Sequence, residues 1–330
     1  MRILVTGGAG YIGSHAMRAL TAAGHEAWTY DNLSYGHPKA VKEDRLVIGD
    51  LLDKDRLDGT FVQNQIEAVL HFAAFAFVGE SVTNPGIYYR NNVAGSLSLF
   101  EVMRRHDVRK IVFSSTCATY GIPDQIPITE QTPQRPINPY GHTKLMIEQA
   151  LRDYSRAYGW GCVALRYFNA SGAAADGSIG EDHTPETHLI PLLIAAALGR
   201  RGPVKIFGTD YPTPDGTCVR DYIHVDDLAS AHLKALETLT PNSFTAINLG
   251  IGKGFSVREV IRAVEQVGGR PVPVEFSDRR EGDPPALIAD SRLAREKLGW
   301  EPEKTRLEDI VASAWNWHRQ HPDGFRTSRQ

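Results

Sequence analysis

The stretch Ile3-Leu4-Val5-Thr6-Gly7-Gly8-Ala9-Gly10-Tyr11-Ile12-Gly13 decides how the rest of the chain is read. A short apolar run without polar alternation reads as a parallel strand buried on both faces. A glycine-rich turn follows it at once. From Tyr11 to Ala23 the apolar residues Ile12, Ala16, Ala19, Leu20 and Ala23 recur at helical spacing, and Gly24 is a natural stop. The turn satisfies both GxxGxxG and GxGxxG. Glycines let the backbone approach a pyrophosphate, and the helix N-terminus offers free N–H groups and partial positive charge to the anion.

Working outward, Ala27 to Tyr30, Leu46 to Ile48, Ala68 to Phe72, Lys110 to Ser114 and Cys162 to Tyr167 read as further strands. Helices are predicted over about Asn91 to Arg105 and over Tyr140 to Tyr158. This alternation predicts an α/β fold, a doubly wound parallel sheet of the Rossmann type. After Asn169 the texture changes to Gly, Ala and Pro punctuation. The predicted division is a dinucleotide-binding domain over 1–169 and a smaller mixed domain over 170–330 that lends elements back to the sheet. Thr327 to Gln330 reads as a frayed tail.

Composition narrows the classes. The chain has 330 residues, 42% hydrophobic and 23% charged, which suits a globular protein with a sizeable core. The net charge is −3 and the basic pairs are isolated, which argues against nucleic acid as a partner. Three widely spaced cysteines, Cys117, Cys162 and Cys218, leave no disulfide scaffold and no CxxC metal site. No metal is therefore expected, and a reducing, cytoplasmic compartment fits best. The N-terminus has no signal-peptide pattern, and no apolar run is long enough to span a membrane.

Asp31 ends the second strand, where a carboxylate accepts hydrogen bonds from an adenosine ribose and repels a 2′-phosphate. NAD is thus favoured over NADP. Asp50, after the third strand, falls near the adenine or caps a turn. Tyr140 and Lys144 stand at i and i+4, on one helix face behind the Asn138-Pro139 helix start. A free phenol titrates near pH ~10; a neighbouring ammonium and an oxidised nicotinamide would favour phenolate, making Tyr140 a base near neutrality. Ser114-Ser115-Thr116 ends the fifth strand at the carboxyl edge, where Thr116 is placed to pass a proton.

These motifs resemble the extended short-chain dehydrogenase/reductases. TGGAGYIGSH at 6–15, VGES at 78–81, Asn91-Asn92-Val93, LRYFN at 165–169, VRDYIHV at 219–225 and Arg279-Arg280-Glu281-Gly282-Asp283 are similar to the UDP-glucose 4-epimerase family within that group. The resemblance runs from residue 3 to about 320. It implies interconversion of UDP-glucose and UDP-galactose, by transient C4 oxidation with tightly bound NAD and re-reduction from the opposite face.

By the same resemblance Tyr140 is the catalytic base, Lys144 its partner on the nicotinamide ribose, and Thr116 part of the proton path. Gly7, Gly10, Tyr11, Ile12, Gly13, Asp31, Asn32, Asp50, Leu51, Phe72, Ala73, Asn91, Ser114, Tyr140, Lys144 and Tyr167 would hold the cofactor. Thr116, Tyr140, Asn169, His188, Phe207, Arg220, Arg280 and Asp283 would hold the UDP-sugar. An Arg fork suits a diphosphate, although Arg220 beside Asp221 and Asp226, and Arg280 beside Glu281, also read as local ion pairs. A homodimer is implied as well.

Departures from the family pattern are Ala76, where many members carry Lys, His188, often Asn, and Leu287, which varies between Tyr and Cys and leans towards non-acetylated sugars. Rival readings are an epimerase for UDP-xylose/UDP-arabinose or for N-acetylated UDP-sugars, a 4,6-dehydratase, and a non-catalytic NAD sensor. Cys117-Ala118 oppose the dehydratase, which needs an acidic pair there. The intact Tyr-x-x-x-Lys opposes the sensor.

Overall fold

The computed structural model describes residues 1–280 and 282–326; the expected tail Thr327 to Gln330 lies outside them. The first half runs β1 (Arg2–Thr6), α1 (Tyr11–Ala22), β2 (Glu26–Asp31), β3 (Leu46–Ile48), α2 (Lys54–Asn64), β4 (Ala68–His71), α3 (Val78–Thr83), α4 (Pro85–Tyr88), α5 (Gly95–Arg105), β5 (Lys110–Thr116), α6 (Pro139–Tyr158) and β6 (Gly161–Tyr167). The second half adds β7 (Asn169–Ser171), α7 (Leu189–Ala197), β8 (Val204–Phe207), β9 (Val219–Arg220), β10 (Tyr222–His224), α8 (Val225–Glu237), β11 (Ser243–Leu249), β12 (Phe255–Ser256), α9 (Val257–Gly268), β13 (Val274–Ser277), β14 (Ala286–Leu287), α10 (Arg292–Leu298) and α11 (Leu307–Gln320).

The main sheet has seven parallel strands in the order β11-β6-β5-β4-β1-β2-β3. This is the doubly wound Rossmann fold predicted. Its strand order reverses between β1 and β4, and a crevice opens there at the carboxyl ends. One face buries Ile3, Val5, Leu20, Val112 and Leu228 under α1 and α8. The other buries Leu4, Phe61, Leu99, Phe113 and Ile147 under α2, α5 and α6. A separate core joins α7, α9 and α11 through Leu193, Ile194, Val260, Val264, Ile310 and Val311.

Strand β11, from the second half, pairs with β6, so the chain returns to complete the sheet. Segment 169–171, where the texture changes, is itself strand β7 and pairs with β10. Helix α6 starts as its sequence demands: Pro139 stands in the first turn and the Asn138 side chain accepts the Gly141 N–H at 2.8 Å. The helix expected from Asn91 differs. Residues Tyr89–Ala94 form a π-helical turn, and α5 begins only at Gly95. The turn accompanies a tertiary tie absent from any helical periodicity. Buried Asn92 accepts the Phe75 N–H at 2.8 Å and donates to Phe75 O at 3.0 Å and to Thr143 Oγ1 at 3.1 Å.

One buried ion pair welds α6 to the sheet. Glu148 and Arg166 are 0% and 1% exposed, with Arg166 Nε 2.9 Å from Glu148 Oε1. Ser115 donates to the same carboxylate at 2.6 Å, and Arg166 Nη1 donates to the Tyr120 hydroxyl at 2.8 Å. Breaking such a pair strands a buried charge. Glu148→Ala is expected to lower stability by about 3–5 kcal/mol in chemical denaturation.

Two buried imidazoles set an acid limit. His71 bridges Thr6 Oγ1 at 2.7 Å and Ser96 Oγ at 2.8 Å. Burial, and secondarily the charge of Lys144, push it down to about 3; burial pushes His232 down to about 4. Both are uncharged in the fold and take up protons on unfolding below pH ~6.5. Stability should therefore fall as pH drops from 6.5 towards 4, by up to about 1.4 kcal/mol per pH unit for each group, with no contribution from them above that window. Thermal unfolding at pH 5 and pH 7 reads this directly: a higher Tm at pH 7 is expected.

Candidate active site

The glycine turn can take its shape only without side chains at two positions. A Cβ at Gly7, whose φ is +71°, would lie 2.6 Å from the Ala73 nitrogen, and one at Gly13 would lie 2.2 Å from the Gly7 carbonyl oxygen. The first helical turn is thereby brought against the ends of β1 and β4. Asp31 stands beside it, 7% exposed, its carboxylate accepting the N–H groups of Ala9 at 3.0 Å and Leu33 at 2.8 Å. Burial pushes its pKa up and these two donors oppose that. Two acceptor positions remain for ribose hydroxyls. Glycines with no room for a Cβ and an oriented carboxylate fit an adenine dinucleotide.

A cleft of about 1380 Å³ runs from this turn across the carboxyl edge into the second half. Every residue singled out from the sequence lines it except Asp50. Asp50 is exposed, and its carboxylate accepts from Leu52 N at 2.9 Å and from Asn32 Nδ2, a cleft-lining residue, at 2.9 Å. The departing residues Ala76 and Leu287 line the cleft too.

At the chemical centre Lys144 Nζ donates to the Ser114 carbonyl at 2.7 Å and sits 5.9 Å from the Tyr140 ring centre. The Ser114 and Tyr167 hydroxyls are hydrogen-bonded. The chain's own residues around Tyr140 work against its charged form. Burial pushes its pKa well above 10; Tyr167 and Cys117 add to that, and only the Thr116 hydroxyl opposes it. Lys144 is pushed down to about 7 by burial, against the pull of Glu148.

The second half supplies cations. Arg220 pairs with Asp283, not with the adjacent Asp221 or with Asp226. Asp221 instead accepts three backbone N–H groups, from Ile251, Gly252 and Ala289, and Asp226 pairs with His15 and Lys304. Burial works against the Arg220 charge, but Asp283 more than offsets it, so its pKa rises. The Arg280 guanidinium lies 4.2 Å over the Phe207 ring; the alternative partner, Glu281, lies outside the described residues. Asn91 is in the π-helical turn, donating to Asn92 Oδ1 at 3.0 Å.

His188 stands at the N-terminus of α7 and lines the cleft, but its Nδ1 faces Glu181 Oε1 at 2.7 Å and Glu186 Oε1 at 3.1 Å. With His183 these form a four-residue cluster that sequence reasoning missed. The alternation Glu181-x-His183-x-x-Glu186-x-His188 was its signal. Among the described residues no helix is long and apolar enough to cross a membrane.

Residues 3–250 match the family described as NAD dependent epimerase/dehydratase. The chain is 53% identical over 331 residues to a UDP-glucose 4-epimerase of Halalkalibacterium halodurans, covering 100% of this chain and 99% of that one. It is 52% identical to a UDP-glucose 4-epimerase of Rhizobium meliloti, covering 98% of each. Among solved structures, UDP-glucose 4-epimerase from Brucella ovis in complex with NAD superposes with a TM-score of 0.92 at 51% identity, over 95% of this chain and 97% of that one. The Bifidobacterium longum enzyme in complex with NAD+ and UDP gives 0.93 at 40% identity, over 98% and 100%.

The contact at residue 13 yields a test. Gly13→Ala should abolish retained dinucleotide, because the methyl group meets a backbone oxygen that cannot swing aside. Nucleotide released by acid from the purified protein measures this: about one per chain for the parent and almost none for the variant.

Proposed function

The chain belongs to the NAD dependent epimerase/dehydratase family, and we propose that it interconverts UDP-glucose and UDP-galactose by inverting C4 of the hexose. One observation carries this reading. Tyr140, Lys144 and Thr116 share a single cleft with the glycine turn on one side and Arg220 and Arg280 on the other. These groups line one continuous cavity.

Gly7, Gly10 and Gly13 would cradle the dinucleotide pyrophosphate and Asp31 its adenosine ribose, with Asn32, Leu51, Phe72, Ala73 and Asn91 along its length. When bound, NAD supplies hydride acceptance and return, and a positive charge on its oxidised ring. Tyr140 is the base that takes the 4-hydroxyl proton and later returns it, with Thr116 as the relay. Lys144, held by the Ser114 carbonyl, orients the nicotinamide ribose. Arg220, oriented by Asp283, and Arg280, stacked on Phe207, hold the diphosphate and uridine together with Asn169. Anchoring the nucleotide while leaving the sugar free lets either face of C4 be presented. Residues 1–169 form the NAD-binding part and 170–330 the UDP-sugar part, with α8 and β11 lent back to the first.

Leu287 on the sugar side favours a non-acetylated hexose, being bulkier than Cys. Cys117, its thiol pushed up to about 12 by burial, and Ala118 provide no acid for dehydration. Exposed Leu97 on α5 and Met146 on α6 support a homodimer formed through the first part. Three unpaired, buried cysteines support a cytoplasmic location.

The test is conversion of UDP-galactose to UDP-glucose without added NAD, alongside UDP-xylose and UDP-N-acetylgalactosamine as competitors. UDP-galactose should give the highest kcat/KM. Tyr140→Phe should lower kcat by about 10²–10⁴-fold. A Tyr140→Phe protein that kept most of its activity would remove Tyr140 from the role of base.

A further inference from the structure

The segment between β7 and α7 folds four side chains towards one point, and the reaction uses none of them as acid, base or hydride carrier. His183 Nδ1 lies 3.2 Å from Glu181 Oε1 and 3.7 Å from Glu186 Oε2. His188 Nδ1 lies 2.7 Å and 3.1 Å from oxygens of the same two carboxylates. One ligand atom from each of the four falls within 4.8 Å of all the others. A tetrahedral ion with bonds of 2.0–2.2 Å has its ligand atoms about 3.4 Å apart. The observed separations bracket that value.

One ligand atom has carboxylate neighbours at ion-pair distance but no aligned hydrogen bond. His183 Nδ1 is shielded from solvent and makes no hydrogen bond, although a carboxylate oxygen is 3.2 Å away. The oxygen lies outside the direction in which the ring nitrogen bonds. The imidazole is held in place by the edges of Tyr11, at 6.3 Å, and Phe77, at 5.8 Å. Glu186 is fixed too: its Oε1 accepts the backbone N–H groups of Thr187 at 2.7 Å and His188 at 2.8 Å. Glu181, 4% exposed, has its main chain pinned by Trp317 Nε1, which donates to its carbonyl at 3.0 Å. These are the supports that metal ligands characteristically have. His188 is 42% exposed on the side of the cleft, which leaves an entry path.

We propose that Glu181, His183, Glu186 and His188 bind one divalent transition-metal ion, of the zinc class, at the cleft wall. Two imidazoles and two carboxylates select such an ion over Mg2+ or Ca2+, which prefer all-oxygen shells. All four positions of the tetrahedron are filled by the protein, so the ion is structural. It ties segment 181–188 to the start of α7 and keeps the wall opposite Tyr11 closed. No step of the epimerisation depends on it.

The experiment uses the untagged protein with its cofactor, dialysed against chelator, then titrated with Co2+ and with Zn2+. Tetrahedral Co2+ gives visible absorption bands, and Zn2+ should displace them at one equivalent per chain. His183→Ala and Glu186→Gln should each weaken binding by on the order of 100-fold or more. His25→Ala, far from the cluster, should bind as the parent does. Zn2+ should raise the Tm of the parent and leave that of Glu186→Gln unchanged. Should His183→Ala not fold, Glu186→Gln, which keeps the side-chain shape, decides alone. No stoichiometric uptake by the parent, or variants that bind as tightly as the parent, would overturn the site.

Discussion

A methyl group has no room at residue 7 or residue 13, and that close backbone approach sets the rest of the site. Gly7 comes against Ala73 at the end of β4, and Gly13 against the carbonyl of Gly7. The first turn of α1 can then reach the crevice where the strand order reverses. Free N–H groups and the positive end of a helix are delivered to one point, with Asp31 already oriented beside it. The glycine-turn end of the cleft is therefore built by contacts within the first half of the chain.

The chemical end is governed by desolvation. Burial disfavours both the phenolate of Tyr140 and the ammonium of Lys144. In this chain the Lys ammonium is committed to the Ser114 carbonyl, and the phenol is left among Tyr167, Cys117 and Thr116. The Glu148–Arg166 pair behind it is a different case. There the charges meet at hydrogen-bond distance with Ser115 and Tyr120 filling the remaining positions, so both survive burial.

The second half does not form a separate body. It completes the sheet with β11 and covers α1 with α8, while its own core lies between α7, α9 and α11. The cleft wall that faces Tyr140 is consequently made of short strands and loops tied by single carboxylates. Asp221 gathers three backbone N–H groups from two loops, and Asp283 orients Arg220. Such ties join positions 30 to 70 residues apart, and a change at one of them would move Arg220 or the loops around it without touching the glycine turn.

The sequence alone determined the glycine turn, the strand–helix alternation, the cap and start of α6, and the i, i+4 placement of Tyr140 and Lys144. Each of these is local, written within about a helical turn or a strand, where periodicity, capping and turn chemistry act. The family resemblance singled out Arg220, Arg280 and Phe207 in the second half, and the structure lines the same cleft with them. Tertiary structure alone decided the partner of Arg220 and the π-helical turn around Asn91. Those outcomes depend on which groups meet across the fold and on how far water is excluded from them, and neither quantity has a signature in the order of residues along the chain.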